Sequence, residues 1–411
     1  MHVVMFADQH IESLGGAQVS MRLQRRFLER AGHTVTVVAP RMHRPVPGDP
    51  AYVDLRSTSA TPDREYGFSW PGRRSDREVD AALARRPPID IVHVQADFWG
   101  AFIGHRFAAR HGLPVVHTMH NRADVGIEAT VPVPGLVLRA LNAWARTALR
   151  PALARRRAER GGDTLADGRS DGWAYLRRLA RLSDAVTAPS SHFARRLERH
   201  GAVPAAGSVD VIWNGIDDEL LDAVSTHRAA RRPGPPRFVW IGRMSPEKRL
   251  LPFLTAVAHS GIQAEVEIIG GGVQLRAARR LVERGWGEAS IVFSGRLPYA
   301  ETLARLADAD AVVQTSIGFE TQGMTVFEAA SLGTPAVVSD PDVAAELGSG
   351  TWEVRDATVP ALADALRRAA ADIAAGTTPA VDRDIAERFR QSSRTAAMVG
   401  VYERTIAQAR R

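Results

Sequence analysis

Two carboxylates, Glu320 and Glu328, stand with seven residues between them in the second half of the chain, and Gly323 lies in the gap. The residues after the glycine predict a helix over 325–332, ended by Gly333-Thr334-Pro335 and followed by a buried parallel strand at Ala336-Val337-Val338. The glycine therefore opens a helix, whose unpaired N–H groups and partial positive charge suit phosphate oxygens. Glu328, in the first turns, is placed to accept hydrogen bonds from vicinal sugar hydroxyls, and Glu320 stands in the preceding loop. Two acids at this spacing also describe an ordinary helix with one capping and one exposed glutamate.

A second motif lies upstream, Trp240-Ile241-Gly242-Arg243-Met244-Ser245-Pro246-Glu247-Lys248-Arg249. A strand over 238–241 runs into Gly242 and then into a helix begun by Ser245 as N-cap and Pro246 at the first helical position. Arg243 and Lys248 thus flank the turn at the C-terminal end of a strand, where open α/β sheets bind ligands. Lys248 is the only lysine in the sequence. A chain that uses arginine everywhere else and lysine here points to a need for a compact ammonium, although a single surface lysine is the plainer explanation.

Together the Gly-Arg…Lys pair and the Glu-x7-Glu segment resemble the retaining glycosyltransferases of family 4, which have the two-domain GT-B fold. The resemblance spans nearly the whole chain. It implies that Arg243 and Lys248 neutralise the donor diphosphate, that Glu320 contacts the transferred sugar and that Glu328 holds the nucleotide ribose. By the same resemblance Gly242, Gly270, Gly323, Met324 and Thr325 lie along the donor, and the turn containing Arg296 and Leu297 touches the base through its backbone. One departure stands out: the family often has Gly-Phe-Gly-Leu after the first glutamate, and here Thr321-Gln322-Gly323-Met324 takes its place. That form is similar to a branch that includes glycolipid synthases.

The 411 residues exceed one hydrophobic core, so two domains are expected. With 45% apolar and 24% charged residues the composition is that of a soluble globular protein. There is no cysteine, hence no disulfide, thiolate nucleophile or cysteine metal site. No eighteen-residue apolar run exists, and the start, MHVVMFADQH, reads as a first strand rather than a signal peptide. These features predict a cytoplasmic protein. The net charge of +7 is uneven: residues 1–232 hold 33 basic and 25 acidic side chains, and residues 233–411 hold 20 and 21. A basic half attracts anionic membranes, anionic substrates or nucleic acid, but no aromatic-interleaved nucleic-acid motif is present, so nucleic acid is not expected.

Read in order, the first half alternates strand and helix, with strands at 2–7, 34–38, 89–94, 113–118, 185–188 and 209–213 and helices at 17–31, 99–111 and 192–200. Gly15-Gly16 at the first strand–helix turn permits close backbone approach, yet the turn is neither G-x-G-x-x-G nor a P-loop, so a dinucleotide or ATP site is not supported. Residues 40–77 read as irregular apart from a strand at 52–55. The passage His117-Thr118-Met119-His120-Asn121 leaves a strand at its C-terminal end. It resembles the family's VVxTxH passage, which places His120 near the reacting sugar; the resemblance also implies that the Gly15-Gly16 loop approaches the donor phosphate or acceptor, which points to Gly16.

Residues 134–160 carry a broad apolar helical face (Val137, Leu138, Leu141, Trp144, Ala145, Ala148, Leu149, Ala152) and an arginine row (Arg139, Arg146, Arg150, Arg157), with Pro151 dividing or kinking the helix. This describes either a helix packed on its own domain or one lying in a membrane interface, in peripheral contact with the inner face of the plasma membrane. A polar loop follows at 161–172. Asn214-Gly215-Ile216-Asp217 resembles the family's PNGID passage with Trp213 for proline, and Pro-rich residues 231–236 read as linker. The second half repeats the alternation, with Gly270-Gly271-Gly272 opening a helix and helices at 360–375 and 382–410.

The expected architecture is α/β: two Rossmann-like domains facing across a cleft, an acceptor domain at 1–214, a linker at 215–236, a donor domain at 237–380, and a C-terminal helix at 381–411 crossing back to the first domain. The expected reaction moves a hexose from a UDP- or GDP-linked sugar to a hydroxyl, a lipid hydroxyl among the candidates, with retention and with neither metal nor other cofactor. No Asp-x-Asp reads as a metal–diphosphate site. Glycosidases also use paired carboxylates, but there they act as acid and base or nucleophile across the bond, and Glu320 and Glu328 both belong to the donor half. Two other readings stand beside this one: a non-catalytic scaffold binding anionic membrane or nucleic acid through the basic half, and another GT-B enzyme such as a phosphorylase or epimerase.

Overall fold

Runs such as His2–Ala7, buried along their whole length, can only be strands covered on both faces, which is the signature of a parallel sheet between helix layers. The computed structural model of the chain describes residues 1–13, 15–46, 48–59, 61, 64–120, 127, 133–160, 171–204, 207–226, 234–285 and 287–410, with the backbone alone for 156–160. Contacts divide the chain into two units, Met1–Gly215 with Arg394–Arg411, and Ile216–Ser393.

The first unit is built on seven parallel strands: β1 (His2–Ala7), β2 (Thr34–Pro40), β3 (Tyr52–Leu55), β6 (Ile91–Gln95), β7 (Val115–Thr118), β8 (Ala185–Ala188) and β9 (Asp210–Val211), in the order β3-β2-β1-β6-β7-β8-β9. A small antiparallel ribbon, β4 (Thr58–Ser59) with β5 (Gly67–Phe68), lies between β3 and β6 in sequence. The strand order reverses between β1 and β6, and the two strand ends are tied there. Asp8, just past β1, accepts N–H groups from Asp97 (2.6 Å), Phe98 (3.0 Å) and Gly100 (2.8 Å), capping the helix Trp99–His111. Burial pushes its carboxyl up to about 6 in spite of those donors. Gly100 is required at this crossing, since a Cβ would lie 2.5 Å from the Ala7 carbonyl oxygen. The end of the chain packs on this unit: Met398, Val401 and Tyr402 join the core of β1 and β2, and Arg394 lies over the Trp213 ring.

The second unit holds six parallel strands: β10 (Arg237–Arg243), β11 (Glu265–Gly271), β12 (Ser290–Gly295), β13 (Ala311–Gln314), β14 (Ala336–Val338) and β15 (Thr351–Glu353), in the order β12-β11-β10-β13-β14-β15. Here the order reverses between β10 and β13. These two strands pair only through Phe238–Ala311 and Val239–Val312, so their C-terminal ends part and leave a crevice.

Several expectations change. Residues 40–77 are not wholly irregular, because the β4–β5 ribbon and the start of the helix Arg73–Leu83 fall there. The linker expected at 215–236 contains the helix Asp218–Thr226, which packs within the second unit, while residues 227–233 lie outside the described residues. The helix expected at 382–410 is two, Ile385–Phe389 and Gln391–Ala409. Residues 134–160 form Pro134–Ala148 and Arg150–Arg160, parted at Leu149 where Pro151 forbids a continuous ladder. Most of the broad apolar face there is the unit's own core, because Leu138, Leu141, Ala145, Ala148, Leu149 and Ala152 are all buried in it, while Trp144 is half-buried and Val137 exposed. The buried part cannot also enter a bilayer. Asn121, most of the polar loop at 161–172 and the Arg157 side chain lie outside the described residues.

Candidate active site

The crevice of the second sheet is where the first two motifs meet. β10 ends at Gly242 and Arg243, and the chain then makes a single 3-10 turn, Pro246–Lys248. The helix expected to start at Ser245 does not form there. Ser245 makes no capping bond and instead donates to Glu247. Arg249 then takes a left-handed conformation, φ 55°, before the helix Leu250–Ser260 begins. This detour aims Lys248 at the loop after β13. Its ammonium donates to Glu320 Oε1 at 2.5 Å and lies 5.2 Å from the Phe319 ring centroid. Ser316 donates to the same carboxylate oxygen. The Lys248 carbonyl accepts from Thr315 Oγ1 (2.6 Å), which accepts in turn from the buried Trp240 indole (2.9 Å). The lysine is therefore fixed at both ends by residues that follow β13.

Arg243 is exposed and pairs with Glu247 at 3.0 Å, so it stands at the mouth of the turn rather than in the Lys248–Glu320 pair. Gly270 and Gly272 pass against this turn with φ of 128° and 153°. A Cβ on Gly270 would collide with the Gly242 carbonyl, and one on Gly272 would lie 2.7 Å from that of Met244. Neither glycine opens a helix directly; the helix Leu275–Glu283 starts three residues past Gly272.

Gly323, at φ 85°, is the N-cap of the helix Met324–Ser331. The first N–H groups of such a helix, at Met324 and Thr325, lack partners within it. Glu328 lies inside this helix, buried, and accepts from the Tyr299 hydroxyl at 2.9 Å. Burial pushes its carboxyl up to about 7, and the Tyr299 bond works in the opposite direction. The Tyr299 hydroxyl is held well above its usual range, by burial first and the Glu328 charge second. Tyr299 starts the helix that follows β12 and the turn through exposed Arg296 and half-buried Leu297. It thereby ties that turn to Glu328.

His120 and Gly16 belong to the first unit. His120 Nε2 lies 3.2 Å from Gln95 Oε1, the Gln95 amide donates to Gln24 (2.6 Å), and burial brings the imidazole down to about 4. His117 is wholly buried against the Ala96 carbonyl (2.8 Å) and His105 (3.1 Å), inside the strand. Gly16 is the first residue of the helix Gly16–Arg30, entered through Gly15 at φ 146°. Sequence reasoning missed Tyr299, Ser316, Thr315 and Gln95, none of which carries a motif signal. The literal Asp-x-Asp pairs have structural work. Asp310 accepts from the Arg237 N–H (2.9 Å), Asp340 from Gly318 (2.7 Å) and Asp342 (3.0 Å), and Asp382 from Asp384 (3.0 Å).

The profile of Glycosyltransferase Family 4 matches residues 14–220, and that of the Glycosyl transferases group 1 matches residues 235–372. The chain belongs to glycosyltransferase family 4 and is a glycosyltransferase that uses nucleotide-sugar donors. It is similar to an alpha-monoglucosyldiacylglycerol synthase of Streptococcus pneumoniae, 21% identical over 82% of this chain and 70% of the other. It is also similar to a GDP-mannose-dependent alpha-mannosyltransferase of Mycolicibacterium smegmatis, 28% identical over 83% and 80%. Among solved structures it shares its fold with a sucrose-phosphate synthase from Thermosynechococcus elongatus, with a TM-score of 0.69 and 18% identity over 99% of both chains. The two Rossmann-like units are those of the GT-B fold.

Proposed function

We propose that this enzyme transfers a hexose from a UDP- or GDP-linked sugar to a lipid-borne hydroxyl, with retention at the anomeric carbon and without a metal. The observation that carries the reading is the Lys248–Glu320 pair, set at the crevice where the second sheet reverses and beside the Gly323 helix start. Lys248, Arg243 and the N–H groups of Met324 and Thr325 stabilise the leaving diphosphate as its charge develops. Glu320 holds the transferred sugar, and Glu328 accepts from the ribose hydroxyls. Gly242, Gly270, Arg296 and Leu297 supply the close backbone along the phosphates and base. Gly16 and His120 serve from the first unit, with His120 as a neutral imidazole near the sugar.

Retention is supported by the relatives' names: both carry alpha products, and an α-linked product from an α-linked donor keeps its configuration. A lipid acceptor is supported by the diacylglycerol product named for one relative and by the basic charge of residues 1–232. The test is a screen of UDP-, GDP- and ADP-sugars against lipid and soluble acceptors, with Glu320→Ala and Lys248→Ala beside the wild type. Transfer to lipid from one donor, lost in both variants, supports the reading. Transfer that survives both substitutions overturns it.

A further inference from the structure

The first unit leaves large apolar side chains in solvent: Trp70, Val133, Leu136 and Val137 are 65, 60, 65 and 39% exposed. The helix Pro134–Ala148 gathers them. At 100° per residue Leu136, Ala140, Trp144 and Val137 fall within about 100° of arc, next to the arc that holds the buried Leu141, Ala145 and Leu138. Trp70 extends the same side. Its ring stands edge-on to Trp144 at 5.9 Å, and Trp144 stands edge-on to the buried Phe102 at 5.0 Å. An exposed tryptophan is thus held out from the body by a stack anchored in the core.

Charge completes the surface. Arg139 and Arg146 occupy the adjoining arc and Arg150 opens the next helix, all three exposed. No acidic residue occurs between Glu128 and Glu159 in the sequence. The three arginines have no carboxylate partner among the described residues. An apolar strip beside exposed guanidinium groups matches a bilayer boundary: leucine and valine enter the acyl edge, tryptophan sits at headgroup level, and arginine forks onto lipid phosphates.

We propose that Trp70 and the outer side of the helix Pro134–Ala148, with Arg139, Arg146 and Arg150, form a docking surface for an anionic lipid bilayer. The proposal deepens the lipid-acceptor reading and rests on it for its purpose, which is to bring the enzyme to its acceptor. It differs from the arrangement in which the whole apolar face of residues 134–160 enters the membrane, because six of that face's eight residues are core.

Co-sedimentation of the full chain with vesicles at low salt tests it, using phosphatidylcholine alone and phosphatidylcholine mixed with phosphatidylglycerol. Wild type is expected to pellet with the mixed vesicles and remain in solution with the neutral ones. Changing Arg139, Arg146 and Arg150 to Gln is expected to lower mixed-vesicle affinity on the order of a hundredfold. Trp70→Ser with Leu136→Ser is expected to lower it by roughly tenfold or more. A variant with Arg280, Arg284 and Arg355 changed to Gln carries the same loss of charge elsewhere and is expected to pellet as wild type does. All eight substituted positions are exposed, and a thermal melt confirms that each variant is folded. Brominated lipid is expected to quench tryptophan emission in the wild type and less in Trp70→Phe. The proposal is overturned if wild type ignores the anionic vesicles, if the patch variants pellet unchanged, or if the patch instead joins two copies of the chain and its variants turn a dimer into a monomer. Donor hydrolysis measured without vesicles keeps the two claims separate: an enzyme that turns over nucleotide sugar but ignores vesicles loses only the docking surface.

Discussion

Glu328 is the residue whose environment makes the sharpest prediction. In the free protein burial holds its carboxyl at about 7, so near neutrality it is only partly ionised. A ribose diol donates two hydrogen bonds and favours the ionised form. Nucleoside binding must then expel a proton at low pH, and affinity for the free nucleoside, which carries no phosphate that titrates in this range, rises with pH up to about 7 and levels off above it. Below that point the expected loss approaches about tenfold per pH unit, by linkage of one proton. Because the Tyr299 hydroxyl lowers this pKa, Tyr299→Phe is expected to move the midpoint upward, and Glu328→Gln to abolish the dependence. Calorimetric titration across the pH range measures it, and a flat wild-type profile refutes the ribose role. His120, held down to about 4, contributes no limb between pH 5 and 8. At Lys248 the expectation is a fall in turnover of roughly 10²–10³ for Lys248→Ala, the scale of losing one preorganised oxyanion donor. Arginine is not expected to restore it, since a planar fork does not fit a point contact with Glu320 and Ser316. Lys248 and Glu320 were legible because of residue rarity and motif. Tyr299 and Gln95 were not, because their partners lie 29 and 25 residues away and meet them only through sheet order.

At the scale of elements, the site depends on loops that cross at backbone distance. Gly270→Ala forces a Cβ against the Gly242 carbonyl at φ 128°, so the β10 turn must move. It is expected to cost nucleotide affinity by tenfold or more in order of magnitude, by displacing the Lys248 turn, a shift of the size that degrades positioned contacts. Gly323→Ala, at φ 85° with the two Val343 methyls 3.2 and 3.4 Å from the added methyl, is expected to lose about 1–2 kcal/mol of stability, read from denaturant unfolding. Retention of wild-type affinity and stability in both variants contradicts the account of these turns. Most strands of both sheets were readable from apolar runs such as Ala311–Gln314 and Ala336–Val338. The helices Arg73–Leu83 and Asp218–Thr226 were not: the first buries only Val79 and Leu83 among its apolar residues amid Arg- and Asp-rich sequence, and the second lies in a stretch that reads as linker. The 3-10 turn at Lys248 was read as a helix start because Ser-Pro signals both, and only the strained Arg249 distinguishes them.

The alternation of strand and helix made two doubly wound sheets readable at the scale of the molecule, and the strand order then located the crevice that the motifs alone could not place. On the proposed reading, cationic side chains and the helix dipole at that crevice neutralise the diphosphate, so turnover is expected to persist in excess chelator. Complete loss on chelation with recovery on adding manganese or magnesium contradicts this. The central claim is retaining transfer at the Lys248–Glu320 crevice. The measurement that meets it most directly is a proton-NMR time course of the first-formed sugar anomer, followed during donor turnover in the presence of chelator with wild type and Glu320→Ala in parallel. The expected result is the α-anomer from an α-linked nucleotide sugar, formed by wild type and lost in Glu320→Ala. A first-formed β-anomer, or an α-anomer produced equally well without Glu320, contradicts the account.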